Sequence, residues 1–280
     1  MKYLSVLFVI LSMAVVSCSN DDDPIPPTAQ YRISFIHSDE TAQSFDYDPE
    51  GNITQWCCLE TQSSQIIAEA AFNYDANVNS IVIDAEEFHG DQKWTFEEVL
   101  SLNMDGTAKS AEGIVHLYQT ENNSLLMRKR YSAVFGYNTA KQLESIRIVE
   151  KLILDSGDDP YPLKWNIDFD WNNDNLIETR EYSNPVSPQK VCEYSYYDGI
   201  EVDYAPIVQY AFLRAYYTPL RYQGRFGAQS KDLIKSATID DNYVTGYWYN
   251  LSNGITNSFV EEYFETLPSG REIQYSVGWE

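Results

Sequence analysis

Basic residues are scarce in this 280-residue chain: 19 Lys and Arg stand against 42 Asp and Glu, for a formal net charge of −23. So acidic a polymer repels phosphate backbones and anionic headgroups, which argues against nucleic-acid partners and against membrane docking through a basic patch. Cations and neutral sugars are the easier partners. Histidine is nearly absent: His37, His89 and His116 are far apart in the chain, each beside a strand-like run. Nothing in that spacing brings them together for metal or acid–base work. Cysteine occurs four times, with no Cys-x-x-Cys pair and no Cys/His cluster, which argues against zinc. A Gly-x-Ser-x-Gly elbow and a phosphate loop are both missing. No cofactor, metal or catalytic residue is therefore assigned.

Long apolar runs are also missing, with one exception. Met1–Ser17 joins a single early cation, Lys2, to an uncharged stretch from Leu4 to Val16, the layout of a secretory signal. A helix crossing the hydrocarbon needs roughly 20 apolar residues, and this run breaks at Ser17 into Cys18-Ser19-Asn20 and three aspartates. Residues 1–17 thus read as a removable signal. Val15-Val16-Ser17-Cys18 resembles the bacterial lipobox, which implies cleavage before Cys18 and lipid on that cysteine as the membrane partner. Two or more acyl chains make a stable tether where one does not. Ser19 is not an inner-membrane retention aspartate, and Asp21-Asp22-Asp23 looks like the surface-export signal of Bacteroidetes lipoproteins. Its other reading is a solvated charge run in a flexible leader. The resemblance implies an outer-membrane lipoprotein facing the cell exterior, with the periplasmic face as the alternative. Pro24, Pro26 and Pro27 favour extended backbone, so residues 18–29 form anchor and spacer and residues 30–280 a single β domain.

The 22 tyrosines, 12 phenylalanines and 6 tryptophans suit pleated, half-buried surfaces and not a disordered chain. They recur in a pattern: aromatic or apolar residues two apart, then Asp or Asn, a polar turn, and apolar residues again. Phe45-Asp46-Tyr47-Asp48 leads through Gly51 to Ile53; Phe72-Asn73-Tyr74-Asp75 leads to Ile81; Leu102-Asn103-Met104-Asp105-Gly106 leads to Thr107. Phe135–Asn138, Phe169–Asn172 and Tyr247–Asn250 repeat it. Alternate aromatics place two rings on one strand face, and Asp, Asn and Gly supply turn conformations. Each copy predicts a hairpin tip, and the intervals between them hold two strands and two turns. Consecutive hairpins without helices make no parallel crossovers. The expected fold is all-β and mainly antiparallel: a meander of hairpins in a curled or barrel-like sheet, with a two-sheet sandwich as alternative. One stretch departs, since Ile207, Tyr210, Ala211, Phe212, Arg214 and Tyr217 fit a helical period. Pro206 suits a helix start, and a short helix over 206–217 is predicted, ending before Pro219.

Arg225-Phe226-Gly227-Ala228-Gln229-Ser230-Lys231-Asp232-Leu233-Ile234-Lys235-Ser236, following that helix, resembles a segment of an uncharacterised Bacteroidetes lipoprotein family. That family is catalogued as a domain of unknown function with a porin-like fold. The hairpins and the lipobox leader are similar to it as well. The resemblance implies a β fold and extracytoplasmic life, and brings no activity or site residues. "Porin-like" need not mean a pore, because Glu144–Lys151 places charges on both strand faces, and charge on a lipid-facing wall is costly.

Paired acids such as Glu86-Glu87, Glu97-Glu98, Asp158-Asp159 and Glu261-Glu262 point opposite ways on a strand and read as solvated surface, not as a glycosidase pair. Calcium at Asp48, Glu50 and Asn52 lacks the twelve-residue loop with its terminal Glu. Trp165, Trp171, Tyr194, Tyr196, Trp248 and Tyr249 read first as core-facing rows and second as a shelf for neutral sugars. Of the adjacent Cys57 and Cys58, only one can reach Cys192; a disulfide there and buried free thiols both remain open. The reading as a whole is a non-enzymatic, lipid-anchored binding or envelope-structural domain, for glycan or a surface protein. The alternative is a secreted glycan-active hydrolase.

Overall fold

Alternating side chains become strand after strand in a computed structural model of the chain, which describes residues 32–155, 157–183, 188–201, 214–240, 243–249 and 260–279. The first six strands are β1 (Ile33–Ser38), β2 (Thr41–Tyr47), β3 (Ile53–Glu60), β4 (Ile66–Asp75), β5 (Ser80–His89) and β6 (Gln92–Leu102). Then come β7 (Ala108–Gln119), β8 (Ser124–Tyr137), β9 (Leu143–Leu154), β10 (Gly157–Asp158), β11 (Leu163–Asn172) and β12 (Asn175–Tyr182). Five more complete the sheet: β13 (Lys190–Glu201), β14 (Asp232–Ile239), β15 (Tyr243–Tyr249), β16 (Glu262–Thr266) and β17 (Glu272–Trp279).

Strands next to each other in sequence pair antiparallel, and β17 pairs with β1, Val277 facing Ile36. Sixteen strands close into a barrel; β10 is a two-residue rung on β9, which also pairs directly with β11. The curled meander read from the sequence is thus a ring and not a sandwich. Closure leaves no sheet edge to recruit a foreign strand.

Burial follows the strand period. On β5, Ile81, Ile83 and Ala85 are buried while Val82 and Asp84 are exposed, and on β6 Phe96 and Leu100 are buried between exposed Glu97 and Val99. The inward rows meet in one core that includes Trp56, Phe72, Phe96, Phe135 and Phe169. Each fully buried large apolar side chain contributes about 1.5–3 kcal/mol, so a filled interior stabilises the ring where a water-filled one does not.

In such a meander, alternate turns lie at the same end. The anchors Asp48, Asp75, Asp105, Asn138 and Asn172 all stand at or beside turns of one end, where β2, β4, β6, β8 and β11 finish. Their side chains close the turns. Asp48 Oδ1 accepts the Asn52 N–H at 2.8 Å, Asp75 Oδ1 that of Asn77 at 2.9 Å, and Asn138 Oδ1 that of Gln142 at 3.0 Å. The sixth anchor, Asn250, lies outside the described residues.

The long connection from β13 to β14 crosses this same end. Residues 202–213 lie outside the described residues; Arg214, inside the predicted helix, is extended (φ −50°, ψ 153°), and the described helical segment begins only after it, as a 3₁₀ turn at Ala215–Tyr217 that runs into α1 (Thr218–Tyr222). The helical segment thus lies later than predicted, with Pro219 near the start of α1 and not beyond a helix end, because in the first turn its missing N–H has no helical partner to lose. Tyr216, Tyr217 and Leu220 are completely buried and plug the barrel. A strap from Gln223 to Asp232 then visits the hairpin tips in turn. Gln223 donates to the Gly51 carbonyl at 2.8 Å and accepts from the Tyr74 hydroxyl at 3.0 Å. Arg225 donates to the Gly106 carbonyl at 3.3 Å, and Ala228 N–H to that of Lys141 at 2.9 Å. Leu176 N–H reaches Ser230 Oγ at 3.1 Å and Asp232 N–H reaches Asn175 at 2.9 Å. Gly227 makes the approach possible: its φ is +84°, and a Cβ would lie 2.3 Å from the Lys141 carbonyl oxygen.

Ile33–Glu280 forms one compact unit, distinct from residues 1–32. Cys18 and the proline-rich spacer fall in the latter, outside the described residues. Among the described residues no helix is long and apolar enough to cross a membrane.

Candidate functional site

The sequence-selected residues do not gather at one place. His37 and His89 are exposed on different strands and His116 is half-buried on a third, and no group of three His, Cys, Asp or Glu among the described residues is arranged to hold a metal. Asp48 is occupied by its own turn: burial would raise its pKa, but the Asn52 side chain and the loop N–H groups hold it below the usual carboxylate value. Cys57, Cys58 and Cys192 are free thiols. Cys58 points into the core, where burial pushes its pKa up to about 12.

Five of the six candidate platform aromatics belong to the core. Trp165, Trp171, Tyr196 and Tyr249 pack against it and Tyr194 is part of it; the Trp171 indole donates to the Leu143 carbonyl at 2.8 Å. Trp248 alone faces outward, stacked on Phe264 with ring centroids 3.5 Å apart.

One acid departs from the solvated-surface expectation. Glu97 is on the outer wall as expected, but Glu98 is 2% exposed and sits inside the barrel. Adjacent residues on a strand take opposite faces, and here the inward face is filled. Three hydroxyls converge on its carboxylate, Tyr131 and Tyr216 on Oε2 and Tyr217 on Oε1. Burial raises its pKa, and the tyrosine hydrogen bonds and nearby Arg214 oppose that rise. Gly113 on β7 gives Tyr131 its path: a Cβ there would lie 2.9 Å from the Tyr131 ring. Arg214 covers the cluster, its guanidinium 4.9 Å from the Phe96 ring centre. Two of the three hydroxyls come from the plug, so Glu98 bolts the plug to the wall.

The outer wall carries ion pairs among exposed apolar residues. Arg147 pairs with Asp168, Arg180 with Asp170 and Glu178, and Arg130 with Asp158. Across β2–β7 the wall hollows into an open concavity of about 550 Å³, lined from Ser44 and Asp46 at one side to Tyr118 and Asn123 at the other. Here like charges face each other: Asp84 is opposite Glu97, and Glu69 opposite Glu86. Directly opposed side chains have Cβ atoms about 5 Å apart, and like charges so placed repel. Lys93 is the cation of this lining, 3.2 Å from Glu86 and over the Tyr118 ring. Strand parity alone puts Glu69, Asp84, Glu86 and Glu97 on outward rows; only the register brings them side by side.

These features define a closed antiparallel barrel with a largely apolar interior, a mixed charged and apolar outer wall, and a plug at one end. No protein-family model matches the chain, and no curated protein does. Solved structures do. A porin-like protein from Bacteroides vulgatus aligns with a TM-score of 0.52 at 14% identity over 89% of this chain and 98% of that one. Another, from Bacteroides uniformis, aligns with a TM-score of 0.48 at 16% identity over the same shares. The likeness is one of barrel fold.

Proposed function

We propose that the protein is an outer-membrane lipoprotein, held by lipid on Cys18, whose barrel stands in water at the cell surface as a non-enzymatic binding domain for glycan or a surface protein. The observation that carries this reading is the polarity of the wall. A barrel in a bilayer turns apolar side chains outward, and an Arg or Lys at the midplane of its lipid face costs about 2–4 kcal/mol. The rows that fill the interior are rich in Ile, Phe and Trp, and Arg147, Arg180, Asp168 and Asp170 stand on the outer face, interspersed with exposed apolar residues such as Val99 and Val134. The plug and strap support the same reading, since a sealed floor suits a tethered domain better than a channel. The lipobox and Asp21-Asp22-Asp23 support the destination.

The experiment has two arms. Cys18→Ala should move the protein from the membrane fraction to the soluble fraction, and protease added to intact cells should degrade the parent protein. The chain from Ser19 should stay monodisperse in buffer without detergent. A Cys18→Ala protein that remains in the membrane, or a Ser19 chain that inserts into vesicles and conducts ions, would refute the proposal.

A further inference from the structure

We infer that the lumen beyond the plug is a binding site for a small zwitterion with an apolar side chain, the chemistry of an amino acid or a short peptide. The site is inside the barrel, separate from any partner of the outer wall, and so goes beyond the binding reading above. Residues opposite each other on a ladder share a face. Val115 and Tyr131 belong to the core, so Lys129, opposite Val115, and Glu150, opposite Tyr131, point inward. Leu152, opposite Lys129, and Leu163, opposite Glu150, do the same, and Glu87 stands two residues beyond inward Ala85 on β5. Arg214 reaches this layer from the residue that precedes the plug's 3₁₀ turn, its Nη2 3.9 Å from Glu150 Oε1, while Lys129 Nζ is 3.5 Å from Glu150 Oε2. Nearer the strap the inward rows are sealed, with Ile81, Ile83 and Leu100 wholly buried. Here they are not: the Lys129 and Arg214 side chains are each 26% exposed, Leu152 37% and Leu163 67%. The lumen therefore meets solvent beyond the plug, and the mouth of a β-barrel is a recurrent place for small ligands.

Arg214 is held in place without being satisfied. Its guanidinium lies 4.9 Å from the Phe96 ring centre and 5.8 Å from that of Tyr131, contacts that fix its position and leave its donors unused. The Glu150 pair is too long for a hydrogen bond, and Arg214 Nε is enclosed with no acceptor. Glu87 is its counterpart of opposite sign. Oε2 pairs with His89 at 3.4 Å, whereas Oε1 is enclosed with no donor, and the Glu87 charge acts on Arg214. Buried polar groups left unmade are costly, so a ligand that completes them gains what the protein alone forgoes. One orphan is a cationic donor and the other an anionic acceptor, which calls for a carboxylate at the Arg214 fork and an ammonium group at Glu87. Two cations and two carboxylates leave the layer formally neutral. An anion alone meets Glu87 and Glu150 as like charges, and a cation alone meets Arg214 and Lys129. Leu152 and Leu163 stand open beside the charges and receive the apolar side chain.

The test is calorimetry on the full lipidated protein in an uncharged detergent. Leucine and dileucine serve as zwitterions, N-acetylleucine and octanoate as anions, and leucinamide as the cation. A zwitterion should bind one to one, and each singly charged analogue about tenfold or more weaker, because each forfeits one charge-assisted contact. The tighter of leucine and dileucine tells a free amino acid from a peptide. Glu87→Gln should weaken the zwitterion about tenfold and leave N-acetylleucine no weaker, whereas a merely structural role for Glu87 would lower both alike. Arg214→Gln should weaken both together; if it unseats the plug, Glu87→Gln carries the test. Asp168→Asn, on the outer wall, should change nothing. No binding of either zwitterion, N-acetylleucine or octanoate bound as tightly as leucine, or affinity indifferent to Glu87→Gln would each overturn the inference. Such a failure, with Cys18-dependent membrane attachment intact, leaves the lipoprotein reading standing.

Discussion

Replacing Glu98 separates a structural bolt from a surface charge. In Glu98→Leu the side chain keeps its approximate size and loses both acceptor oxygens. The hydroxyls of Tyr131, Tyr216 and Tyr217 then lose their shared partner; Tyr131 and Tyr216, whose oxygens are 3.5 Å apart, can turn to each other. Two buried donors remain unmade at about 1–3 kcal/mol each, and relief of the carboxyl's own desolvation offsets part of that. The expected net loss is about 3 kcal/mol. For a domain of this size each kcal/mol shifts Tm by roughly 2–4 °C, so thermal unfolding of the Ser19 chain should fall by about 6–12 °C. Glu98→Gln keeps an acceptor for two hydroxyls and should cost about 1 kcal/mol. The pH dependence follows from the same burial. A carboxyl whose folded pKa lies above its unfolded value adds stability that is complete below the unfolded pKa and is lost as pH rises through the folded one. The parent should therefore lose stability on that rise relative to Glu98→Gln. A Leu variant as stable as the parent, or a Gln variant as damaged as the Leu, would refute the bolt.

Gly227→Ala should destabilise the barrel by about 2 kcal/mol or more, since the new Cβ meets the Lys141 carbonyl with the backbone already at positive φ; urea unfolding followed by tryptophan fluorescence reads the loss, and a change below about 0.5 kcal/mol would contradict the strap geometry. Thiol labelling should rank Cys57 ahead of Cys58. Cys57 is half-buried on the outer wall and Cys58 buried in the core. The carboxylates of Glu69 and Asp46, which together with burial raise its pKa, should also repel an anionic disulfide reagent, so that, each rate taken relative to free cysteine, Cys57 is slowed more toward that reagent than toward neutral iodoacetamide. Equal rates at Cys57 and Cys58 by mass spectrometry would count against the assigned faces.

Much of the architecture was legible because it is local. Phe45, Phe72 and Phe135 recur before turn-forming Asp or Asn, and each is buried on an inward row just ahead of a turn. Closure was not legible. It depends on Ile36 facing Val277, a pairing set by the accumulated twist and stagger of the whole sheet and not by any neighbouring residues. Glu98 escaped for a related reason: its partners come from residue 131 and from residues 216 and 217, so the chain around it reads like any acidic strand. The aromatic rows read first as core, and Trp165, Trp171, Tyr194, Tyr196 and Tyr249 are core; composition cannot tell an inward row from an outward one, and only Trp248 lies outside it. The concave face needed register as well as parity, because Glu69, Asp84, Glu86 and Glu97 belong to three strands.

The strap makes the two ends of the barrel unequal in what change they can absorb. Each tip it visits must arrive at a fixed height, so lengthening the turn at Gly51, Gly106 or Lys141 pulls a hydrogen-bonded contact out of place. Turns at the other end answer to no such common template among the described residues. Insertions and sequence drift are expected to collect there, and grafted loops or reporter peptides should be accepted at Gly90-Asp91 while the same insertions at Gly106 cost the fold.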